Sequence, residues 1–215
     1  MVFQLDDELW FPDPTLADED GCLAIGGDLS VDRLLLAYQH GIFPWFSFRD
    51  QQEPVWYCPH QRFVIFPKEI HVSHSMRTLL NKNLYKFSIN RDFEHVIEQC
   101  SRLRIEEDGA WLGEDMIKAY TELHRQGFAA SIEVWDKEEK LVGGLYGVNI
   151  GKAFFGESMF SLVPNGSKMA LIFLATTFVE MGGVLIDCQL ETAHLKSMGG
   201  RFISYESYMR LISDR

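Results

Sequence analysis

The chain of 215 residues has no long apolar run, and we expect no secretion signal. No segment approaches the roughly 20 consecutive apolar residues that a membrane-spanning helix needs, so we expect no membrane partner. The first residues, MVFQLDDELWFPDP, lack the basic region and the apolar segment of a signal peptide. We therefore expect a globular, cytoplasmic protein.

Cysteine is sparse as well, and the four residues stand far apart, at positions 22, 58, 100 and 188. Without a CxxC pair or a nearby pair of histidines, this spacing indicates neither a zinc site nor a disulfide framework. We predict free thiols and no metal.

Positive charge is also scarce, with 20 Lys and Arg against 31 Asp and Glu and a net charge of -11. Duplex nucleic acid is bound through many phosphate contacts, so this balance argues against an extended nucleic-acid surface. A local basic patch is compatible with it. The densest window contains Arg62, Lys68, His71, His74, Arg77, Lys82, Lys86 and Arg91, with Glu69 against them. A solvated charged face is the alternative for this window.

Apolar residues make up 47% of the chain, enough for one full core and a small second unit. The pattern changes near residue 62. Before it, irregular stretches rich in Pro and aromatic residues surround one helix, with Ser30 as N-cap and Gly41 as terminator. After it, regular helix and strand patterns alternate.

The second part predicts an ordered series of elements. They are strand 85–90, helices from Asp92 and over 114–126, strands 129–135, 140–149 and 152–160, a long helix capped by Asn165 or Ser167, the strand VLIDCQ, and a further helix and strand. This order is typical of the N-acyltransferase (acetyltransferase-like) fold. We predict an α+β protein with a mixed, mainly antiparallel sheet, divided into a small N-terminal domain, 1–62, and an acetyltransferase-like catalytic domain, 63–215.

An acetyl-CoA enzyme of this fold would hold the pyrophosphate on a Gln/Arg-x-x-Gly-x-Gly/Ala loop at the start of the long helix. This chain has LVPNGSKMAL there, with the single Gly166. We therefore expect no CoA and no other cofactor.

Candidate chemistry lies in the segment 141–161, LVGGLYGVNIGKAFFGESMFS, and in the triplet Asp187, Cys188, Gln189. Glycines inside strand-like runs suggest bends or a ligand close to the backbone. In an extended triplet, Asp187 and Gln189 would lie on one face and would share a site. A structural role for the pair is the alternative.

Eight sequence blocks occur in a characteristic order. They are CLAIGGDLS (22–30), GIFPWF (41–46), VWYCPHQR (55–62), WLGEDMIKAYTELHRQG (111–127), LVGGLYGV (141–148), FFGESMFS (154–161), SKMAL (167–171) and DCQ (187–189). With these blocks the chain resembles the leucyl/phenylalanyl-tRNA protein transferase family over nearly its whole length. The resemblance implies a cytoplasmic enzyme that moves Leu or Phe, and by extension Met, from aminoacyl-tRNA to the N-terminal Arg or Lys of a protein. That addition marks the protein for N-degron degradation. The resemblance implies neither metal nor CoA, and we expect a monomer.

The chain departs from the family pattern at two places. Ala130 stands where the family usually has His, and after the segment SMGG (197–200) the chain reads Ile203, Ser204, Tyr205 where the family usually has IPR. No role is carried over to these positions. A peptidoglycan- or antibiotic-type aminoacyl or acetyl transferase of the same fold remains an alternative, as does a homologue that has lost catalysis.

The resemblance places Asp187 and Gln189 at the catalytic centre. The nucleophile would be an α-amino group, whose pKa of about 7.7–8.0 requires loss of a proton before it attacks the ester. Gln189 would orient this amine as a hydrogen-bond acceptor, and Asp187 would polarise or position it. The tRNA ribose would be the final proton acceptor.

The resemblance also assigns substrate contacts. The pocket for the transferred side chain would be formed by Leu145, Phe154, Leu171, Leu174, Phe178 and Ile186, with an ordinary core as the alternative. The surroundings of the tRNA 3′ end would be Tyr38, Trp45, Trp111 and Tyr120, with packing between the two units as the alternative.

Glu157 would bind the amino group of the ester or the cationic acceptor, and Ser158 lies beside it. Their alternatives are a carboxylate paired with Arg or backbone N–H and a hydroxyl satisfied by the main chain. Arg77 and Lys82 of the basic window would bind tRNA.

Overall fold

A computed structural model describes residues 2–45, 53–107 and 113–213, except for the side chains of 104–107. The strands are β1 Phe3–Leu5, β2 Cys22–Gly26, β3 Phe43–Trp45, β4 Val55–Tyr57, β5 Gln61–Ile65, β6 Lys86–Ile89, β7 Ala129–Trp135, β8 Leu141–Ile150, β9 Ala153–Ser161, β10 Leu185–Asp187 and β11 Arg201–Ser204. The α-helices are α1 Val31–Gln39, α2 His74–Asn81, α3 Phe93–Glu107, α4 Glu114–Arg125, α5 Gly166–Glu180, α6 Ala193–Ser197 and α7 Tyr205–Ser213.

The larger sheet has seven strands in the order β11-β5-β10-β9-β8-β7-β6. Its β9 and β10 run parallel, and every other neighbouring pair in this sheet is antiparallel. Helix α5 packs on one face, while α3 and α4 pack on the other. The predicted α+β class with a mixed, mainly antiparallel sheet is confirmed.

The N-terminal part contains a second sheet, of four strands in the order β1-β2-β4-β3, beside α1. The prediction of irregular stretches here was therefore wrong. Three of these strands, β1, β3 and β4, have only three residues each, too few for an alternating pattern to be read. Ser30 is the N-cap of α1, as predicted, because its hydroxyl accepts a hydrogen bond from the N–H of Arg33.

Strand β5, Gln61–Ile65, crosses the predicted domain boundary after residue 62. It pairs with β10 and β11 and so belongs to the larger sheet. The division into 1–62 and 63–215 stays a prediction.

Helix α5 begins where the sequence pattern placed it, with Asn165 as its N-cap residue, but the Asn165 side chain does not provide the cap. Asn165 occupies the N-cap position in a left-handed conformation, with φ of 68°, and its side chain makes no capping hydrogen bond. The hydroxyl of Ser161 at the end of β9 accepts instead from the N–H of Ser167. A Cβ on Gly143 would lie 2.8 Å from the Cα of Gly166, so a glycine of β8 lets the helix start approach the sheet.

Candidate active site

The site lies where β9 and β10 stop pairing. Their parallel register joins Ala153 to Leu185, Phe154 to Ile186 and Phe155 to Asp187, and it ends there. Strand β9 nevertheless continues to Ser161. An opening in the sheet after Phe155 and Asp187 thus leaves the following residues without a strand neighbour on that side.

A β-bulge positions Glu157 at this opening. Tyr146 of β8 pairs with Ser158, and the next residue, Gly147, pairs with Gly156, so Glu157 is the extra residue of β9. A bulge places two residues of one strand opposite one residue of its partner and redirects a side chain. Strand alternation alone does not predict this arrangement.

Two tyrosines and an amide surround the Glu157 carboxylate, which is 7% exposed. Its Oε1 accepts from the Tyr38 hydroxyl at 2.7 Å and from Gln189 Nε2 at 2.9 Å, and its Oε2 accepts from the Tyr120 hydroxyl at 2.9 Å. Burial raises the pKa of Glu157 to about 7, although the hydrogen bonds from the two tyrosines oppose the shift.

Proton counting gives an independent reason for a protonated Glu157. The hydroxyl oxygens of Tyr38 and Tyr120 are also 2.5 Å apart, so three oxygen–oxygen contacts close a triangle with the carboxylate. The two hydroxyls supply only two hydrogens. The third hydrogen is present when Glu157 is protonated at Oε2, which then donates to the Tyr120 hydroxyl instead of accepting from it.

Asp187 is fully buried and holds a different set of partners. Its Oδ2 accepts from Arg62 Nη2 at 2.8 Å and from the Tyr208 hydroxyl at 2.7 Å, and its Oδ1 accepts from the backbone N–H of Gln189 at 2.8 Å. Arg62 Nε lies 3.1 and 3.0 Å from the two carboxylate oxygens. The carboxylate is therefore neutralised and fully hydrogen-bonded inside the protein.

Arg62 and Tyr208 were not predicted as site residues. Arg62 was assigned to the basic window, which was wrong, because the side chain is fully buried between the rings of Phe43 and Tyr208, with the guanidinium 4.8 Å from each. A charge inside an apolar strand was the available signal. Tyr208 lies on α7, a helix that the sequence patterns did not reveal.

The triplet from Asp187 to Gln189 is not extended as predicted. Strand β10 ends at Asp187, and Gln189 adopts a left-handed backbone with φ of 63°. The Asp187 side chain therefore turns toward Arg62, while the Gln189 amide reaches Glu157. The two residues share a hydrogen bond through the Gln189 backbone, but their side chains contact different groups.

Ser158 is 6% exposed, and its hydroxyl has no hydrogen-bond partner among the residues that the structure describes. The alternative of a hydroxyl satisfied by the main chain was therefore wrong. A buried hydroxyl without a partner beside Glu157 is a group that a substrate can satisfy.

The predicted aromatic residues occupy different environments. Tyr38 and Tyr120 are fully buried, and their hydroxyls meet at Glu157. Their place at the tRNA 3′ end stays a prediction. Trp45 is half-buried beside Phe43 and Tyr57. Trp111 lies outside the described ranges.

The six predicted pocket residues lie together in one apolar cluster on the α5 side of the sheet. They are Leu145, Phe154, Leu171, Leu174, Phe178 and Ile186, and all are buried. The rings of Phe154 and Phe178 meet edge to face, with centroids 6.2 Å apart. Contacts of this kind occur both in the wall of a ligand pocket and in an ordinary core, so the side-chain pocket stays a prediction.

Arg77 and Lys82 are exposed on α2 and at its C-cap. Lys86 and Arg91 of the same window instead pair with Glu139, and Glu69 pairs with Arg201. Fewer basic side chains are therefore available to bind tRNA than the window predicted from sequence.

Within the described ranges, no group of His, Cys, Asp and Glu side chains is arranged to hold a metal ion. None of the helices described there combines the length and the hydropathy of a membrane span.

Comparison with known proteins identifies the family. Residues 64–213 match the model of leucyl/phenylalanyl-tRNA protein transferase, and residues 27–60 match that of its N-terminal domain. A Flavobacterium johnsoniae protein named leucyl/phenylalanyl-tRNA–protein transferase is 46% identical over all of both chains. A Pseudomonas fluorescens protein of the same name is 50% identical, over 93% of this chain and 88% of its own.

Among solved structures, FemX shares the fold with a TM-score of 0.50 and 12% identity, over 86% of this chain and 71% of that one. With a family model that matches more than half of its length and relatives this similar, the chain belongs to the leucyl/phenylalanyl-tRNA protein transferase family, whose members are transferases.

Proposed function

We propose that this protein transfers Leu or Phe from aminoacyl-tRNA to the N-terminal Arg or Lys of an acceptor protein. Met is a further donor residue in this proposal. The reaction takes place in the cytoplasm, where charged tRNA is available, and it marks the acceptor for degradation. The protein acts as a monomer in this proposal, with Tyr38, Tyr120, Glu157 and Gln189 forming one connected site.

The hydrogen bond between Glu157 and Gln189 carries the proposal. A carboxylate oxygen accepts, so Gln189 presents its amide nitrogen to Glu157. The amide oxygen of Gln189 has no hydrogen-bond partner among the described residues and stays available for the incoming amine. Gln189 would thus orient the α-amino group, while Asp187 holds the Gln189 backbone.

The transfer is a substitution at an activated ester. The amine nitrogen forms a bond to the ester carbonyl carbon, and the bond from that carbon to the ribose oxygen breaks. The amine loses one proton, and the departing ribose oxygen takes one up. Because the ester is already activated, holding the two substrates in line can supply much of the rate enhancement.

The opening between β9 and β10 also supports the assignment of the apolar cluster as the side-chain pocket. Glu157 contacts Tyr38 and Tyr120 on one side of the sheet, and the six apolar residues face α5 on the other side. Pairing of β9 and β10 ends at Phe155 and Asp187, next to both groups. An apolar pocket would accept Leu, Phe and Met alike, since one methylene discriminates by only about 1–3 kcal/mol.

The decisive experiment measures transfer of labelled Leu from charged tRNA to a peptide that begins with Arg. We expect product with Arg- and Lys-starting peptides and none with an Ala-starting or an N-acetylated Arg peptide. Addition of EDTA should leave the rate unchanged, and acetyl-CoA should not be used. Activity that depends on acetyl-CoA, or absence of product from the Arg peptide, would contradict the proposal.

A further inference from the structure

Asp187 cannot meet a substrate in the arrangement observed. Its carboxylate is fully buried, and both oxygens accept hydrogen bonds from the protein. Asp187 can therefore affect the reaction only through the groups that donate hydrogen bonds to it. One of them, the backbone N–H of Gln189, belongs to the residue that the proposed function places against the amine.

The Gln189 backbone needs such support. A non-glycine residue rarely adopts positive φ unless its surroundings hold it there, and Gln189 has φ of 63°. The hydrogen bond from its N–H to Asp187 Oδ1, two residues back, closes a turn of the kind that an aspartate stabilises. The same conformation brings the Gln189 side chain to Glu157.

Two residues distant in sequence keep Asp187 in place. Arg62 forms a forked contact with the carboxylate, and its Nη1 donates to the backbone carbonyl of Gly41 at 2.6 Å. Tyr208 donates to Asp187 Oδ2 from α7. The ring of Tyr208 packs so closely on Gly41 that a Cβ there would lie 2.7 Å from it.

We propose that Arg62 and Tyr208 are positioning residues for aminoacyl transfer, which fix Asp187 so that it holds Gln189 in the turn that presents its amide to the acceptor amine. The proposal rests on the function proposed above. Helix α7 thus contributes to the active site through the hydrogen bond from Tyr208 to Asp187. The N-terminal part contributes through the Gly41 carbonyl and the Phe43 ring, which both contact Arg62.

The test compares two substitutions on α7. Tyr208→Phe removes the hydroxyl that bonds Asp187, whereas the control Tyr205→Phe removes one that bonds the carbonyl of His40. In single-turnover transfer at saturating aminoacyl-tRNA, we expect Tyr208→Phe to be slower by about tenfold to a hundredfold, as for a small misplacement of a reacting group. The dissociation constant for aminoacyl-tRNA should change less than about twofold, because the loss is one of positioning. Tyr205→Phe should retain the wild-type rate.

A double-mutant cycle separates positioning from general destabilisation. In a Gln189→Ala background, Tyr208→Phe should cause no further loss of rate, because the residue that it positions is absent. Equal losses in both backgrounds would overturn the proposal, as would wild-type transfer by Tyr208→Phe.

A second measurement does not need activity. Hydrogen exchange of the Gln189 backbone amide, followed by NMR, should be faster in Tyr208→Phe and in Arg62→Lys than in wild type and Tyr205→Phe. Lysine keeps the charge of Arg62 but cannot reproduce the forked contact. Unchanged exchange in both variants would overturn the inference even if the wild type proved to have another activity. A wild type that transfers nothing, with faster exchange in the variants, would refute only the proposed function.

Discussion

Glu157 Oε1 and Gln189 Nε2 lie 2.9 Å apart, two residues beyond the last paired residues of β9 and β10. One group comes from a β-bulge and the other from a left-handed turn. Each of these irregularities is unfavourable or uncommon by itself. Together they bring a carboxylate and an amide to the opening between β9 and β10, where an ester and an amine would meet.

The raised pKa of Glu157 predicts a pH-dependent stability. Its ordinary value is 4.5, and burial raises it to about 7, so between these values the native state binds a proton that the unfolded state has lost. Glu157 therefore makes the free energy of unfolding fall as the pH rises through this range. Glu157→Gln removes the titration. From about pH 5 to about pH 8, the wild type should lose roughly 3 kcal/mol of stability relative to the variant.

Urea denaturation of both proteins at the two pH values measures this difference. The comparison between variants cancels the titration of other groups to first order. A difference that stays constant with pH would show that Glu157 keeps one protonation state, contrary to the expectation.

Gln189→Ala should slow transfer without weakening tRNA binding. The amide acts on the attacking amine, so the single-turnover rate should fall by about tenfold to a hundredfold, with aminoacyl-tRNA affinity within about twofold of wild type. The exposed neighbour Leu190 supplies a control, because Leu190→Ala alters the same turn without removing the amide. A variant rate within about twofold of wild type, measured with chemistry rate-limiting, would remove Gln189 from the catalytic role.

Regular elements were predictable because their patterns are local. The strands β7, β8 and β9 and the helices α4 and α5 lie close to their predicted ranges. Helix periodicity and hairpin spacing depend on neighbours in sequence, so one sequence is enough to read them. The glycines of β8 were expected to mark bends or a ligand close to the backbone, but at Gly143 the backbone that approaches is that of α5.

Contacts between distant parts of the chain could not be read in this way. Arg62 and Asp187 are separated by 125 positions, and Tyr38 and Glu157 by 119. Sequence alone singled out Glu157 and Asp187 as candidate site residues. It did not identify which groups would neutralise or protonate them, since the bulge and the left-handed turn that orient these side chains depend on tertiary packing.

Asp187→Ala should lower the stability of the fold, in addition to any effect on the transfer rate. It leaves the buried Arg62 guanidinium without its carboxylate, which we expect to lower the free energy of unfolding by about 3–5 kcal/mol. The double variant Arg62→Met, Asp187→Leu should recover part of this loss, because apolar residues of similar size replace both charges. Equilibrium unfolding in urea measures all three proteins. A double variant less stable than Asp187→Ala would contradict the account.

Phe178→Ala tests the predicted side-chain pocket. The ring is buried, so its removal should lower the free energy of unfolding by about 3–5 kcal/mol and enlarge the space beside Phe154. The ratio of Leu to Phe transfer should shift toward the larger side chain. Met169→Ala, a buried change on the same helix outside the predicted pocket, should leave that ratio unchanged. If the folded Phe178→Ala enzyme keeps the wild-type ratio, Phe178 is a core residue and not a pocket wall.

Arg77 and Lys82 test how tRNA is held. Both are exposed, and neither forms an ion pair with another described residue, whereas Lys86 and Arg91 of the same window already pair with Glu139. Each phosphate contact contributes a slope of about -0.7 to -0.9 to log affinity against log salt. We expect two to four contacts and a total slope of roughly -1.5 to -3.5, because the protein is acidic and holds tRNA mainly by its aminoacylated end.

Replacing Arg77 and Lys82 together by alanine should make that slope shallower by about one to two units, since two phosphate contacts are lost. The matched pair Lys86→Ala and Arg91→Ala should change it less, because both side chains already pair with Glu139, which offsets one of their two charges. Neither pair should alter the preference between Leu and Phe, which the proposed function assigns to the buried apolar cluster and not to these exposed side chains. Titration of aminoacyl-tRNA at several salt concentrations measures the slopes. A wild-type slope steeper than about -6, or equal changes for the two pairs, would place the tRNA on another surface.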